Sequence, residues 1–576
     1  MTVPGIALVV DGVEVVVPDE GASLLDVLRD RLGVTSAKDG CSPQGQCGCC
    51  TVLVDGAPRV ACVTPVRRLA GRAVTTLDGL GSDVVGSWAE AFVATGASQC
   101  GFCTPGIIMR FEGLRAKGVA ADDRAAVERA LQAHLCRCTG WRTIVEAYAA
   151  AVDPADLVDP EAVVDPADPE AVVEISGRRS ADREERDLAA AGRRATIEGH
   201  AVQHVGAETA LGRAGFAADT APTDALVAVP DGSGGWAIGE TLAAARLAAG
   251  KVQGRRTTVE AVPPLSLPVG DWAVTLRTSW VEPAYLETDA SWCVPGGEPA
   301  SPLANGGAFG GKVDSPVAAV ARELADQHGR AVRVLLSRED AVVLGAKRPP
   351  IAAGLRADGT GIVRVARTAG IADRIGDVAP GLDVEEVDLA GPPTSISARA
   401  AGWAEAEVLR AAVASSNGTI GPDEPIRVEG PDGGVAHATI EQMGGGHSAD
   451  GPAREDRTDG QDRTDGQVVV RVRVACGDPL DEVVMRSYAI GAAHMAIGWV
   501  TSEGLAVDAD GLVHDLTIRS FGVPRAIDTP AIEVEVEPGS GPPVNGSDAV
   551  FAAVAAAVWR HQGFPPDWPT GIPLRP

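Results

Sequence analysis

The stretch that decides the fold is CSPQGQCGCCTVLVDG, residues 41–56. It places four of the chain's eleven cysteines within ten positions. Five more cysteines precede residue 140, and only two follow it. An odd number of cysteines favours reduced thiols that bind metal over a framework of disulfides. The question is therefore which metal centre needs this much sulfur near the N-terminus.

The first group of cysteines has the spacing C-x5-C-x2-C-x11-C, and consists of Cys41, Cys47, Cys50 and Cys62. A plant-type [2Fe–2S] cluster uses C-x4-C-x2-C and a distant fourth cysteine. This sequence thus carries one extra residue before Gly45, among Ser42, Pro43 and Gln44. Cys49 becomes a surplus thiol, although it could replace a neighbouring ligand. A structural zinc site is the alternative.

The second group lies in QCGFCTPG and LCRCTGW, and consists of Cys100, Cys103, Cys136 and Cys138. Its spacing, C-x2-C-x32-C-x-C, fits zinc poorly, because zinc modules usually pair two C-x2-C knuckles at a much shorter gap. Residues two apart do not share a helical face. We therefore expect Cys136 and Cys138 where a helix ends, with Gly140 nearby.

Around these cysteines, the local signals predict regular elements. Residues 3–20 read as two strands with a turn at Asp11-Gly12, and Ser23 reads as the N-cap of a helix that ends at Gly33. The segment after the cysteine loop predicts a hairpin that turns at Asp55-Gly56. Residues 83–150 lack alternation and predict several short helices.

A ferredoxin-like start followed by QCGFCTPG and CRCTG resembles the iron–sulfur head of the xanthine dehydrogenase/aldehyde oxidase family of molybdenum hydroxylases. The resemblance runs without a break from SLLDVLRDRLG, at 23–33, through CRCTGWRTIVEAYAAA, at 136–151. It implies a β-grasp [2Fe–2S] domain over residues 1–80 and a four-helix [2Fe–2S] domain over 81–151. In that family the clusters pass electrons singly between a molybdenum-pterin site and a flavin. Gln99 matches a position near the pterin.

The rest of the chain divides at two polar stretches. Residues 152–195 start with an acidic, proline-rich run that predicts an extended linker. Residues 449–467 include the duplication DRTDGQDRTDGQ and predict a low-complexity surface loop. The resemblance makes 196–365 and 366–576 the two parts of a truncated α+β molybdopterin-binding-like region. The expected fold is therefore multidomain α+β. No FAD region lies between head and body.

The motif GGAFGGK, at 306–312, is similar to the family's glycine-rich loop at the molybdenum cofactor. Clustered glycines let backbone amides approach an oxo ligand or phosphate closely. The resemblance implies cofactor contacts from Gly306, Gly307, Phe309, Gly310 and Gly311. The motif is not a Walker A loop, because Val313 stands where Ser or Thr is required.

The family's general base is a glutamate that follows a glycine late in the chain. Here Gly546 matches the glycine, but Ser547 stands at the position of the glutamate. Serine cannot accept the proton near neutral pH, and a positioned base typically contributes about 10²- to 10⁴-fold. Asp548 is the alternative base, one residue out of register. The chain is also short between Arg348 and about residue 400, and only EQMGGGH, at 441–447, resembles a remnant of the second cofactor loop.

Other reactive residues read as structural. The histidines show no metal spacing, and this applies to His200, His204, His447 and His494. Cys293 and Cys476 lie in apolar runs and read as small buried hydrophobes.

Composition limits the partners and the compartment. A net charge of −28 argues against binding to nucleic acid or to an anionic membrane. The longest apolar run, Phe551 to Trp559, is about half of a membrane span. The N-terminus alternates like a strand and resembles no secretory leader, so we expect a cytoplasmic protein.

The favoured hypothesis is an iron–sulfur subunit with two [2Fe–2S] clusters. It would relay electrons from a separate catalytic molybdenum subunit to an FAD subunit or another acceptor. One alternative is a hydroxylase that oxidises an aldehyde or an N-heterocycle with its own molybdenum–molybdopterin. The other is a non-redox scaffold of such a complex.

Overall fold

The computed structural model describes residues 5–153, 186–250, 259–303, 307–442, 468–514 and 516–574. Most of the predicted linker and the predicted loop at 449–467 lie outside these residues, and so does the end of EQMGGGH with His447. Among the described helices, none combines the length and the apolar character that crossing a bilayer requires.

The regular elements alternate between strands and helices along the chain. The strands are β1 (Gly5–Val10), β2 (Val13–Pro18), β3 (Thr51–Val54), β4 (Ala57–Val60), β5 (Ala73–Thr75), β6 (Leu226–Pro230), β7 (Trp236–Gly239), β8 (Val274–Thr278), β9 (Ala290–Cys293), β10 (Val332–Leu335), β11 (Ile351–Leu355), β12 (Gly361–Ala366), β13 (Leu382–Val387), β14 (Ile426–Glu429), β15 (Val435–Gln442), β16 (Val468–Ala475), β17 (Ala531–Val536) and β18 (Asp567–Trp568). The helices are α1 (Leu24–Asp26), α2 (Ser82–Thr95), α3 (Thr104–Arg115), α4 (Arg124–Ala130), α5 (Arg142–Val152), α6 (Leu188–Gly199), α7 (Ala207–Ala210), α8 (Ala217–Thr220), α9 (Leu242–Ala249), α10 (Val317–His328), α11 (Arg338–Leu344), α12 (Ile371–Val378), α13 (Trp403–Ser416), α14 (Glu482–Thr501) and α15 (Ser547–His561).

The first sheet has the strand order β2-β1-β5-β3-β4, with β1 and β5 parallel and the other neighbours antiparallel. Its two hairpins turn at Asp11-Gly12 and Asp55-Gly56, all four with positive φ, as two-residue turns of this kind require. Ser23 caps α1 through a reciprocal pair of hydrogen bonds with Asp26. The predicted hairpins and helix start are confirmed. The helix continues as a π-helical turn, which no sequence signal indicated.

The helices α2 to α5 pack around an aromatic cluster. Trp88, Phe111 and Tyr148 are buried, with ring centroids 5.0 to 6.2 Å apart. Aromatic pairs at these separations contribute beyond the area that they bury. The prediction of short helices over 83–150 is therefore confirmed, and their packing holds the loops that carry the second group of cysteines.

The body contains three further sheets, with strand orders β7-β6-β10-β9, β13-β12-β11-β8-β18 and β14-β15-β16-β17. Two long helices, α14 and α15, pack against each other and are buried almost throughout. Trp499 of α14 stacks on Phe551 of α15 at a centroid distance of 5.1 Å. One hydrophobic core runs from the first sheet to these helices. The head is therefore packed onto the body.

His494, at the centre of α14, makes the stability of this core sensitive to pH. Its side chain is fully buried, and its Nε2 lies 3.0 Å from the carbonyl oxygen of Pro524. Burial, together with the guanidinium of Arg137, lowers the pKa of His494 to about 4. Since an unfolded histidine titrates near 6.5, the unfolded chain binds an extra proton between about pH 6.5 and pH 4. The contribution of buried, neutral His494 to the free energy of unfolding is therefore lost as the pH falls from about 6.5 to about 4.

We expect acidification from pH 7 to pH 5 to cost the wild-type chain about 2 kcal/mol more than the variant His494→Gln. Glutamine keeps a hydrogen-bonding side chain but does not titrate. The measurement is urea denaturation of both proteins at the two pH values. An identical pH dependence would contradict the assignment.

Candidate iron–sulfur centres

The first group of cysteines forms a buried cluster of thiols beside β3. The exposed fractions of Cys41, Cys47, Cys50 and Cys62 are at most 5%. The thiol of Cys41 is within hydrogen-bonding reach of Cys47 and Cys62, and Cys62 is within reach of Cys50. The four thiols therefore form one connected set, which Cys49 joins through Cys47.

Backbone amides and neighbouring thiols favour negative charge on one sulfur of this group, that of Cys41. The backbone amide of Gln44 donates to Cys41 Sγ at 3.1 Å, and that of Cys62 donates to Cys50 Sγ at 3.4 Å. Hydrogen bonds from Cys47 and Cys62 lower the pKa of Cys41 well below its usual range. The same hydrogen bonds raise the pKa of Cys47 and Cys62, so Cys41 is the thiol of this group that most readily takes the metal-binding thiolate form.

The second group converges from two loops that were far apart in sequence. Cys103 directly precedes α3, whereas Cys136 and Cys138 lie in the loop before α5. Cys138 Sγ lies 3.7 Å from Cys100 Sγ, and the Cys136 thiol is within reach of Cys103 and Cys138. As predicted, the last two cysteines lie outside a helix, and the turn at Gly140 follows them.

This second cluster is also buried, with exposed fractions between 1% and 8%. Hydrogen bonds from the Cys103 and Cys138 thiols, and from Thr139, lower the pKa of Cys136 well below its usual range. The Thr139 hydroxyl oxygen lies 3.2 Å from the Cys136 sulfur. Both groups thus combine four buried thiols with nearby donors.

The donor sets fit [2Fe–2S] clusters. Such a cluster takes four cysteine thiolates shared between two irons, so its ligands need not point at one atom. Within the described part of the chain, no three cysteine, histidine or acidic side chains surround a single-ion position. Each group supplies four buried cysteine thiols, which is the type and number of ligands that a two-iron centre takes.

An ion pair fixes the loop that contains Cys136 and Cys138. Arg137 lies between Cys136 and Cys138, and its guanidinium donates two hydrogen bonds to Glu503, at 2.5 and 2.8 Å. Its Nε also donates to the carbonyl oxygen of Pro283. Both charged side chains are almost fully buried. The body therefore holds the loop that carries Cys136 and Cys138 in place.

The body also contacts the loop that carries Cys41 and Cys47. These contacts come from the stretch that contains the extra residue, 42–44. The Gln44 amide donates to the Glu339 carboxylate at 2.9 Å and to the Leu516 carbonyl at 3.1 Å, and its oxygen accepts from the Ile518 amide. Arg246 donates to the Ser42 hydroxyl at 2.9 Å. The extra residue in C-x5-C therefore lies in a stretch that docks the loop onto the body.

The glycine-rich motif contacts protein atoms. Gly306 lies outside the described residues. Gly307 has φ +83°, and a Cβ there would lie 2.9 Å from Cys100 Sγ and 3.7 Å from Cys138 Sγ. Glycine is required at this position because the backbone packs directly on the second thiol cluster.

The other glycines of the motif show the same kind of packing. A Cβ on Gly310 would lie 1.5 Å from the carbonyl oxygen of Ser397, and one on Gly311 would lie 2.7 Å from Pro283 Cβ. The close approaches that the motif predicts are therefore present, but at these glycines the approaching group is protein. Phe309 lies under the guanidinium of Arg399, 4.8 Å from it.

Arg399 occupies the region beside the expected catalytic position. Its Nη2 donates to the Ser547 hydroxyl at 2.6 Å, and its Nε donates to the Asp548 carboxylate at 2.8 Å. His200 contacts the other oxygen of Asp548 at 2.9 Å. Although burial acts to raise it, the charges of Arg399 and His200 lower the pKa of Asp548 below its usual value. Asp548 is therefore engaged in ion pairs with Arg399 and His200.

The space around Phe309 is too small for a pterin cofactor. The cavity lined by Phe309, Arg348, Arg399, Trp499 and Glu503 measures about 30 Å³. A single water needs about 10–15 Å³ on this scale, so the cavity holds about two. The guanidinium of Arg348 stacks on Trp499 at 4.0 Å and fills part of the region. The described residues that line this cavity therefore leave no room for a molybdenum–molybdopterin group beside Phe309.

Gln99, which the resemblance places near the pterin, also bonds within the protein. Its amide donates to the Cys138 carbonyl and to the Ser487 hydroxyl, both at 3.0 Å. Its Oε1 is buried and has no hydrogen-bond partner among the described residues. The cavity beside it measures about 10 Å³. Gln99 therefore joins the second thiol cluster to α14.

The remaining reactive residues take structural positions, as the sequence predicted. Cys293 in β9 and Cys476 after β16 are fully buried. Sequence reasoning missed Arg399, Arg348 and the pair of Arg137 and Glu503. Arg399 carries no local signal, because its partners Ser547 and Asp548 follow it by 148 and 149 positions.

Comparison with known families identifies the head. The model of a [2Fe-2S] binding domain matches residues 76–149. The nicotinate dehydrogenase small FeS subunit of Eubacterium barkeri is 37% identical over 139 residues, which cover 24% of this chain and 87% of that protein. The nicotine 6-hydroxylase small subunit of Paenarthrobacter nicotinovorans is 40% identical over 129 residues, covering 22% and 77%.

Longer relatives match over a similar share of this chain. The aldehyde oxidoreductase of Megalodesulfovibrio gigas is 40% identical over 161 residues, which cover 27% of this chain and 16% of that protein. The match thus spans about a sixth of that relative's length.

The fold of the whole chain is similar to a solved aldehyde oxidoreductase, that of Desulfovibrio desulfuricans. The TM-score is 0.61 at 16% identity, and the match covers 96% of this chain and 97% of the other. Together with the sequence relatives, this likeness in mixed α/β fold gives one conclusion. The chain belongs to the xanthine dehydrogenase/aldehyde oxidase family of molybdenum hydroxylases, which are oxidoreductases.

Proposed function

We propose that this chain is the iron–sulfur electron-transfer subunit of a molybdenum hydroxylase complex. Cys41, Cys47, Cys50 and Cys62 would hold one [2Fe–2S] cluster, and Cys100, Cys103, Cys136 and Cys138 would hold the other. The observation that carries the proposal is the contrast between two groups of four buried thiols and a cavity of only about 30 Å³ among the described residues around Phe309. The chain would carry electrons from a catalytic subunit to an FAD subunit or another acceptor.

The contact between the chain segments that carry the two thiol clusters supports electron transfer from one to the other. A Cβ on Gly106, in the first turn of α3, would lie 2.4 Å from the carbonyl oxygen of Gly48 and 2.8 Å from that of Cys49. The loop of the first cluster therefore packs directly on the helix that begins at the second. A [2Fe–2S] cluster moves one electron at a time, and adjacent clusters divide the oxidation of a substrate into single-electron steps.

The surroundings of Ser547 argue against hydroxylation by this chain alone. Its hydroxyl accepts a hydrogen bond from Arg399, and its backbone amide donates to Glu198 at 2.8 Å. Neither the hydroxyl nor the backbone amide of Ser547 can remove a proton from a nucleophile. Loss of a general base typically costs about 10²- to 10⁴-fold.

The domain assignment is part of the proposal. The β-grasp [2Fe–2S] domain would take residues 1–80 and the helical [2Fe–2S] domain 81–151, and the linker would end at 195. The body, 196–365 and 366–576, would bind the two loops of the clusters and the catalytic partner. Its contacts with Gln44 and Arg137 support this role.

The test is metal analysis and co-purification of the full chain. We expect about four iron atoms per chain, no molybdenum, and recovery with subunits that contain molybdenum and FAD. An isolated chain with about one molybdenum that oxidises an aldehyde or a purine would overturn the proposal. An iron-free chain that still assembles the complex would support a scaffold instead.

A further inference from the structure

The imidazole ring of His134 lies between the chain segments that carry the two thiol clusters. Its side chain is almost fully buried, with an exposed fraction of 1%. A Cβ on Gly48 would lie 2.5 Å from His134 Cδ2, so the ring packs on the backbone of the loop between Cys47 and Cys50. His134 itself precedes Cys136 by two positions. One side chain therefore joins the loop of the first thiol cluster to a segment that carries the second.

The hydrogen bonds of the ring extend to both sides of this contact. His134 Nε2 lies 3.2 Å from the carbonyl oxygen of Gly106, in the first turn of α3, and 3.3 Å from Thr51 Oγ1, at the start of β3. Because a carbonyl oxygen only accepts, Nε2 is the donor. The Thr51 hydroxyl donates to the carbonyl oxygen of Gly48 at 2.7 Å, so its oxygen can accept from the ring. The ring thus links α3 to β3, and each of these elements begins directly after a cysteine of its thiol cluster.

A backbone contact beside the ring joins the same segments. The amide of Leu135 donates to the carbonyl oxygen of Cys47 at 3.0 Å. Without the ring, the carbonyl oxygen of Gly106 would lose a donor, and a void would open between backbones that now pack on the imidazole. The two segments would then be free to shift relative to each other.

We propose that His134 is a positioning residue for electron transfer, which fixes the separation of the two [2Fe–2S] clusters. This inference rests on the proposed function, because it requires both groups of thiols to hold clusters. Groups outside the ligand set commonly orient the ligands of a metal centre. Transfer of an electron between two clusters slows steeply as their separation grows, so the contacts of the ring keep this transfer fast.

The test is paramagnetic resonance of the full chain with both clusters reduced. Two unpaired spins that lie close together split each other's signal, and the splitting falls steeply as the spins separate. We expect His134→Leu to keep about four irons per chain but to show a smaller splitting than the wild-type chain. His134→Gln places an amide donor near the position of Nε2 and is expected to restore the splitting. Leu409→Ala, which truncates a fully buried side chain of α13 in the body, is the matched control and should keep the wild-type splitting.

Hydrogen exchange gives a second measurement of the same contact. The amide of Leu135 is protected by its hydrogen bond to Cys47, so its exchange reports how often the two segments separate. We expect exchange of this amide to be about tenfold faster in His134→Leu, as the loss of one buried hydrogen bond typically allows. Thr51→Val keeps the shape of the side chain and removes one acceptor of the ring, so it should shift both measurements in the same direction. If His134→Leu does not fold or loses a cluster, Thr51→Val decides.

Three results would overturn the proposal. One is a wild-type splitting in both His134→Leu and Thr51→Val. Another is an equal reduction in His134→Leu, His134→Gln and Leu409→Ala, which would assign the effect to a general loss of stability. The third is a wild-type chain with two clusters and no splitting. In all three cases the wild-type chain would still contain two clusters, whereas a wild-type chain without iron would overturn the proposed function together with this inference.

Discussion

Replacing Cys103 with serine is expected to remove the second cluster and to halve the iron content, from about four to about two atoms per chain. A hydroxyl is a much poorer ligand for iron than a thiolate, and the three remaining cysteines cannot complete two irons. The measurement is an iron assay combined with paramagnetic resonance, which should retain the signal of the first cluster and lose that of the second.

Cys293→Ser is the control for this loss, since Cys293 is equally buried but lies in β9, remote from both thiol clusters. It should keep about four irons. Full iron content in Cys103→Ser would exclude Cys103 as a ligand.

The second large effect, a loss of folding stability, is expected from Glu503→Gln. This change leaves the guanidinium of Arg137 buried without its charged partner, and breaking a buried ion pair typically costs about 3–5 kcal/mol. Because Arg137 lies between two cysteines of the second cluster, the absorbance of that cluster should be lost at lower denaturant concentration. Chemical denaturation followed by the absorbance of the cluster measures the loss of folding stability and the denaturant concentration at which the second cluster is lost.

Two further variants test whether the loss of stability comes from breaking the buried ion pair. Glu535→Gln removes an exposed partner of Arg473 and should cost at most about 1 kcal/mol. The double variant Arg137→Met with Glu503→Leu removes both buried charges and should recover much of the stability. Equal losses in Glu503→Gln and Glu535→Gln would contradict the role of the buried pair.

Local signals explain why the head was predictable. The hairpins at Asp11-Gly12 and Asp55-Gly56 and the cap at Ser23 depend on neighbours within a few residues. The spacing of the cysteines likewise constrains which loops meet at a metal centre. These features follow from short-range geometry, which a sequence displays directly.

The body could be predicted only in part, since its decisive contacts join distant residues. The glycines of GGAFGGK predicted backbone contacts with a cofactor, which stays a prediction; the structure shows Cys100 and Ser397 packed against Gly307 and Gly310. The missing base at Ser547 was visible in sequence. The guanidinium of Arg399 beside it was not, because nothing near Arg399 in sequence reveals its partner.

The docking of Gln44 onto the body has a consequence for how the protein matures. Gln44 binds Glu339 and Leu516 while Arg519 donates to the Gln46 carbonyl, so the body covers the loop that carries Cys41 and Cys47. On the proposed function, iron and sulfide would have to enter while this loop is still accessible. We therefore expect insertion of the first cluster to precede docking of the loop onto the body.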